Sequence, residues 1–169
     1  KIRHEDGGPA FYSQERIGKN EKPFKMWKFR SMVVNADQMI DQLEDQNEIN
    51  GAMFKIKDDP RITKIGHTIR KYSLDELPQL WNVLIGDMSL VGPRPPLPSE
   101  VEEYTDYDKQ RLLVMPGCTG LWQVTKRNEA DFDEMVWLDI VYINHSGILE
   151  DLKLIIKTIG VVIHPNGAY

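Results

Sequence analysis

The run Val91-Gly92-Pro93-Arg94-Pro95-Pro96-Leu97-Pro98 restricts this chain more than any other stretch. Each proline fixes its own φ and pushes the preceding residue out of the helical region, so the run is rigid and extended. A guanidinium held between two prolines at Arg94 is pre-organised for bidentate contact with a phosphate. A partner-binding polyproline segment and a plain connector are the other readings of the same residues. The preceding sequence tilts the balance towards an anion site. Residues 73–76 read Ser-Leu-Asp-Glu, which places two adjacent carboxylates, Asp75 and Glu76, at the start of an apolar helix. Leu77, Leu80, Trp81 and Leu84 give that helix its stripe, and Gly86 is its C-cap.

Ser-x-x-Glu is also a capping box, with Ser73 as cap and Glu76 reaching back to its backbone N–H. Pro78 fits the first turn better if Asp75 is the cap. The two signals disagree by two residues, and on residue pattern alone capping outweighs catalysis. Consecutive helical residues diverge by about 100° around the axis. Asp75 and Glu76 therefore face different ways, one to attack phosphorus or hold a metal, the other to orient or balance it. A helix N-terminus also favours anions, phosphates included.

Elsewhere the pattern predicts strands over residues 10–17 and 24–32 joined by a turn at 18–22, a β-hairpin. Its basic residues Arg16, Lys25, Lys28 and Arg30 either line an anion site or form a solvated face. A helix is expected over residues 35–47, and Asp58-Asp59-Pro60 reads as a turn whose carboxylates cap the next element. Residues 65–72 form a short basic element carrying Arg70, and residues 116–124 a loop leading into a short strand. Asp131 opens a helix to about residue 144, with Asp139 at a position that is usually solvated. Residues 148–163 form an apolar helix that belongs to the core or rests on a membrane surface.

The chain's 169 residues suffice for one domain with a core, and 41% hydrophobic content argues against disorder. A net charge of −5 disfavours a nucleic-acid partner. Cys118 is alone, so no internal disulfide forms. The four histidines lack metal-ligand spacing, and the Gly-rich phosphate-loop, dinucleotide and nucleophile-elbow motifs are all missing. No apolar run reaches the ~20 residues of a membrane span.

Six stretches in colinear order resemble the bacterial sugar transferase family, the monotopic polyprenyl-phosphate phosphoglycosyl transferases. They are residues 8–18, 24–32, 59–63, 73–95, 116–124 and the closing Gly167-Ala168-Tyr169. The resemblance implies an α+β fold, a mostly helical single domain with an N-terminal β-hairpin. Residues 1–169 would be the catalytic domain, the soluble part of a monotopic membrane enzyme whose re-entrant hairpin lies upstream of Gly8. It further implies transfer of a phosphosugar from a UDP-sugar to undecaprenyl phosphate with release of UMP, at the bacterial cytoplasmic membrane with the site facing the cytoplasm. Asp75 matches the family's nucleophile, Glu76 its partner, and both hold Mg2+. Lys28, Arg70, Arg94 and Arg127 match residues around the phosphates. Thr125-Lys126 stands where the family usually has Ser-Gly or Asn-Gly. A catalytically silent nucleotide-sugar-binding domain is the alternative, and the sugar and any homo-oligomer stay open.

Overall fold

The computed structural model describes residues 1–39, 43, 56, 59–126 and 130–163. A short helix α1 (Ile2–Asp6) leads into an antiparallel hairpin of β1 (Phe11–Ile17) and β2 (Pro23–Phe29). Its register runs from Phe11 opposite Phe29 to Ile17 opposite Pro23, and the Phe11 and Phe29 rings lie 5.2 Å apart. The expected hairpin is therefore present, although its second strand ends three residues early. Arg30 explains the ending. Its guanidinium is buried, takes both Asp6 carboxylate oxygens at 2.6 Å and donates to the carbonyls of Pro9 and Met32. These bonds tie α1 to the hairpin and turn the chain out of the ladder.

Of the helix expected over 35–47, Ala36–Met39 forms a 3-10 turn and Leu43 is helical; most of the remainder lies outside the described residues. Helix α2 (Lys64–Lys71) follows and carries Arg70 in its last turn. It is capped by Thr63, whose hydroxyl accepts from the Gly66 amide, and by Glu5, whose carboxylate accepts from the amides of Lys64 and Ile65. Asp59 does not cap it; that carboxylate closes back on Arg61, two residues away. Asp58 lies outside the described residues.

Helix α3 (Gln79–Ile85) ends at Gly86, which sits at φ 88°. Asn82, fully buried, accepts from the Trp27 amide at 3.0 Å and donates to the Lys25 carbonyl at 2.8 Å, so α3 is bolted to β2. Beyond it β3 (Ser89–Val91) pairs in parallel with β4 (Gly117–Thr119). A side chain at Gly117 would come within 2.1 Å of the Gly92 amide, so only glycine permits this approach. Between them lie α4 (Pro98–Glu102) and a 3-10 turn, Asp108–Leu113. The expected loop leading into a strand at 116–124 is replaced by a strand leading into a helix. The strand comes first, and Trp122-Gln123-Val124 sits in the one-turn helix α5 (Leu121–Thr125), because Trp122 must reach the core formed with Met135 and Val136.

Helix α6 (Phe132–His145) is capped by Asp131, as expected, through the Glu134 amide at 2.8 Å. Helix α7 (Ile148–Ile163) has the anticipated bounds but buries only Leu154, against Val91 and Tyr142. No helix of the described residues is long and apolar enough to cross a membrane.

Asn82→Ala would leave a backbone donor and acceptor of β2 without their partner. Each such group costs about 1–3 kcal/mol. Urea unfolding is expected to show a loss of roughly 2–4 kcal/mol, and an unchanged midpoint would mean that α3 is held by other contacts.

Candidate active site

Asp75 and Glu76 lie on a 3-10 turn, Leu74–Glu76, and not on the helix. Neither expected cap operates. Ser73 is at φ 52°, ψ 23°, the left-handed region, and its side chain does not cap the turn. Pro78 occupies the cap position of α3, since a proline is tolerated only at the edge of a helix. The left-handed Ser73 turns the chain sharply. Its amide closes on the Arg70 carbonyl at 3.0 Å, and its carbonyl accepts from the Glu76 amide at 3.2 Å. A non-glycine residue held there costs about 1–3 kcal/mol, and such strain concentrates at functional positions.

The turn buries Asp75 to 8% exposure. Burial first, then the neighbouring negative charge of Glu76, pushes its carboxyl up to about 6, while Lys28 and Arg70 pull the other way. Glu76 is paired with Lys28 of β2 at 3.0 Å. Both side chains are about a third exposed or less, so the pair serves orientation more than stability. Four predicted residues thus converge: Asp75 and Glu76 on the turn, Lys28 on the hairpin and Arg70 at the end of α2.

Arg94 is held a little apart. Its guanidinium pairs with the buried Glu100 at 3.1 Å, and the same carboxylate accepts from the Leu97 amide, fixing the start of α4. Arg16 bridges the two regions. It is buried, and burial together with the charge of Arg94 draws it down to about 10, with Glu100 and Glu76 opposing. It remains a cation at neutral pH. Of the other hairpin cations, Lys25 is exposed and Arg30 is consumed by Asp6. Cys118 on β4 is no nucleophile: burial, aided by the charge of Glu76, pushes its thiol up to about 12. Arg127 lies outside the described residues.

Asp139 is the residue most at odds with expectation. It is fully buried in α6 and paired with Arg111, equally buried, from the 3-10 turn. No sequence pattern singles out Arg111, because its partners are distant in the chain. Periodicity offers a weak hint for Asp139, which stands among the core positions Val136 and Tyr142 of α6.

A strained turn thus presents a buried carboxyl and its neighbour to a lysine and an arginine on an α+β scaffold. The chain belongs to the bacterial sugar transferase family, whose model matches residues 1–165. It is 55% identical over 164 residues to a protein named galactosyl transferase CpsE of Streptococcus agalactiae, covering 96% of this chain and 36% of that one. It is 48% identical over 168 residues to undecaprenyl-phosphate galactose phosphotransferase of Salmonella typhimurium (97% and 35%). To an Aeromonas hydrophila protein named UDP-N-acetylgalactosamine-undecaprenyl-phosphate N-acetylgalactosaminephosphotransferase it is 36% identical over 173 residues (99% and 38%). The chain therefore spans about a third of the length of these relatives.

A carboxyl whose folded value is raised stabilises the fold in its protonated form. For Asp75 that contribution is full below its ordinary value of 3.8 and is lost as the pH climbs through about 6. The cost of ionising it in place is about 3 kcal/mol. Asp75→Asn should therefore be more stable than the native protein by about that amount at pH 8, with the gain vanishing near pH 4. Urea unfolding at the two pH values checks this, and a variant less stable at pH 8 would contradict it.

Proposed function

We propose that the chain is the catalytic domain of a phosphoglycosyl transferase. It transfers a phosphosugar from a UDP-sugar to undecaprenyl phosphate, releases UMP and leaves undecaprenyl diphosphosugar, the first membrane step of exopolysaccharide, capsule or O-antigen synthesis. The observation that carries this reading is the buried carboxyl of Asp75 beside Glu76 and Lys28, in a family whose relatives are named for such transfers. A carboxylate nucleophile splits the transfer into two displacements. Asp75 attacks the sugar-bearing phosphorus, the bond to the bridging oxygen breaks, and UMP departs with that electron pair. A phosphate oxygen of the lipid then attacks the same phosphorus and frees Asp75. Burial keeps water from the acyl phosphate and strengthens each charge contact.

Lys28 and Arg70 flank the carboxylates, where they oppose the charge that builds on the transferring group. Arg94 clamps the diphosphate from the proline strap, and Arg127 is assigned a phosphate contact from the resemblance alone. The two carboxylates fit Mg2+. They lie close enough for Glu76 to raise Asp75, and magnesium needs only one or two protein carboxylates when substrate phosphates complete its shell. Among the described residues no set of three or more His, Cys, Asp or Glu offers a complete cage. Bound there, the ion lowers repulsion between an anionic nucleophile and a diphosphate.

The exposed leucines and Trp81 of α3 and the outward isoleucines of α7 suit a lipid surface and support a domain resting on the membrane; the cytoplasmic orientation of its site is assigned from the resemblance alone. In the full-length protein with UDP-sugar, undecaprenyl phosphate and Mg2+, Asp75→Asn is expected to cut UMP release at least ~10³-fold. In the native enzyme kcat/KM should fall as acid protonates Asp75, at a pH below the metal-free value of about 6 when Mg2+ is bound beside it. Activity near the native level in Asp75→Asn would remove it as nucleophile. Repeated turnover without lipid acceptor, releasing more than one UMP per enzyme, would identify a phosphodiesterase, and UDP-sugar binding without any UMP release a silent binding domain.

A further inference from the structure

The strap at 93–96 is held in an unusual way. Pro93, Pro95 and Pro96 have no N–H, so carbonyls are the means by which the backbone can be anchored. All four accept a hydrogen bond. The Pro93 carbonyl takes the Gly117 amide at 2.9 Å, and that of Pro96 takes the Ile17 amide, also at 2.9 Å. The two between them take charged donors. Arg111 reaches the Arg94 carbonyl at 3.2 Å, and Arg16 the Pro95 carbonyl at 3.1 Å.

Arg111 is itself fixed on two further sides. One terminal nitrogen donates to the Tyr104 hydroxyl at 2.8 Å, and the other is paired with Asp139. The ion pair is fully buried, and it is not perfectly satisfied. Among the described residues, Arg111 Nε and Asp139 Oδ1 meet no hydrogen-bond partner. Desolvating two charges generally offsets what their attraction supplies, and an apolar pair of equal volume stabilises a core as well or better. Stability is therefore a poor explanation for this pair. Arg111 is also shut away from any substrate, whereas the Arg94 head, whose carbonyl it holds, remains partly exposed.

We infer that Arg111, locked by Asp139 and Tyr104, is a positioning residue that sets the backbone of Arg94 and so the direction in which its guanidinium meets a phosphate. The inference rests on Arg94 acting as the phosphate clamp. Arg111→Lys keeps the charge but cannot hold the Arg94 carbonyl, Tyr104 and Asp139 at once, because the planar fork is lost. Tyr104→Phe is the gentler variant, keeping the ring and its packing on Phe132 while removing one tether.

Both variants, alone and combined with Arg94→Ala, are assayed in the full-length protein for UDP-sugar KM, kcat and thermal midpoint. Arg111→Lys is expected to lower kcat/KM about tenfold to a hundredfold and Tyr104→Phe by a few-fold, mainly through KM. Either loss should disappear once Arg94 is alanine, since nothing then remains to be aimed. If Arg94→Ala is costly but the losses simply add to it, the positioning role is overturned while the clamp stands. If Arg94→Ala alone leaves UDP-sugar kinetics untouched, the clamp reading falls and the inference with it. Should Arg111→Lys fail to fold, the cycle with Tyr104→Phe separates the same outcomes.

Discussion

A backbone in which three of four residues lack an amide donor is held mainly by its carbonyls, and this constraint organises the molecule around residues 93–96. The four donors come from different parts of the chain. Ile17 and Arg16 belong to the end of the hairpin, Gly117 to the start of β4, and Arg111 to the turn before it. Satisfying one short strap therefore brings together the N-terminal hairpin, the parallel pair and, through Asp139, helix α6. A buried carbonyl left without its donor costs about 1–3 kcal/mol, so these contacts reinforce one another. Glu100 completes the arrangement from the other end, serving both the Arg94 head and the Leu97 amide.

The carboxylate turn follows the opposite logic. Ser73 sits in the left-handed region, and Asp75 is buried beside a like charge. Both features work against the fold. They persist because the flanks are over-determined: α2 carries two caps at its start, and α3 is bolted to β2 through Asn82. Rigid elements on either side hold a turn that would relax on its own. The same burial that raises the Asp75 carboxyl excludes water from it, so destabilisation and proposed reactivity share one cause.

How much of this was legible in the sequence depended on how local the causes were. The hairpin, the Asp131 cap and the bounds of α7 follow from neighbours within a turn or a strand, and they stand where the pattern placed them. The convergence of Lys28 and Arg70 on the carboxylates came from the family resemblance, because no local rule links residues 28, 70 and 76. Where a distant contact decides, the pattern misleads. Ser-x-x-Glu reads as a capping box, yet Pro78 displaces the helix start and tertiary packing holds Ser73 left-handed. Asp59 reads as a cap, but Arg61 takes it and Glu5 reaches α2 from 59 residues away. Asp139 reads as solvated because nothing near it in the chain announces Arg111.

Helix α3 shows why the carboxylates sit where they do. Its polar residues Gln79 and Asn82 are buried, while Leu80, Trp81, Leu84 and Ile85 face outward, Leu84 being 75% exposed. The helix is inside-out by the ordinary rule for water-facing elements. Asn82 supplies the reason for the inward polar face, since β2 offers it a backbone donor and acceptor. The outward face is then free to be apolar, and Leu77 and Pro78 carry it up to the residue after Glu76. Phe11 and Trp27 of the hairpin extend the same surface. An apolar surface beginning one residue from a carboxylate pair divides its surroundings sharply, with charge chemistry on one side and hydrocarbon on the other. The lipid phosphate proposed as acceptor, a phosphate on a long apolar chain, would meet such a boundary. The inverted helix lets one element serve both ends, with Asn82 anchoring it inward and its leucines and Trp81 forming the outward face.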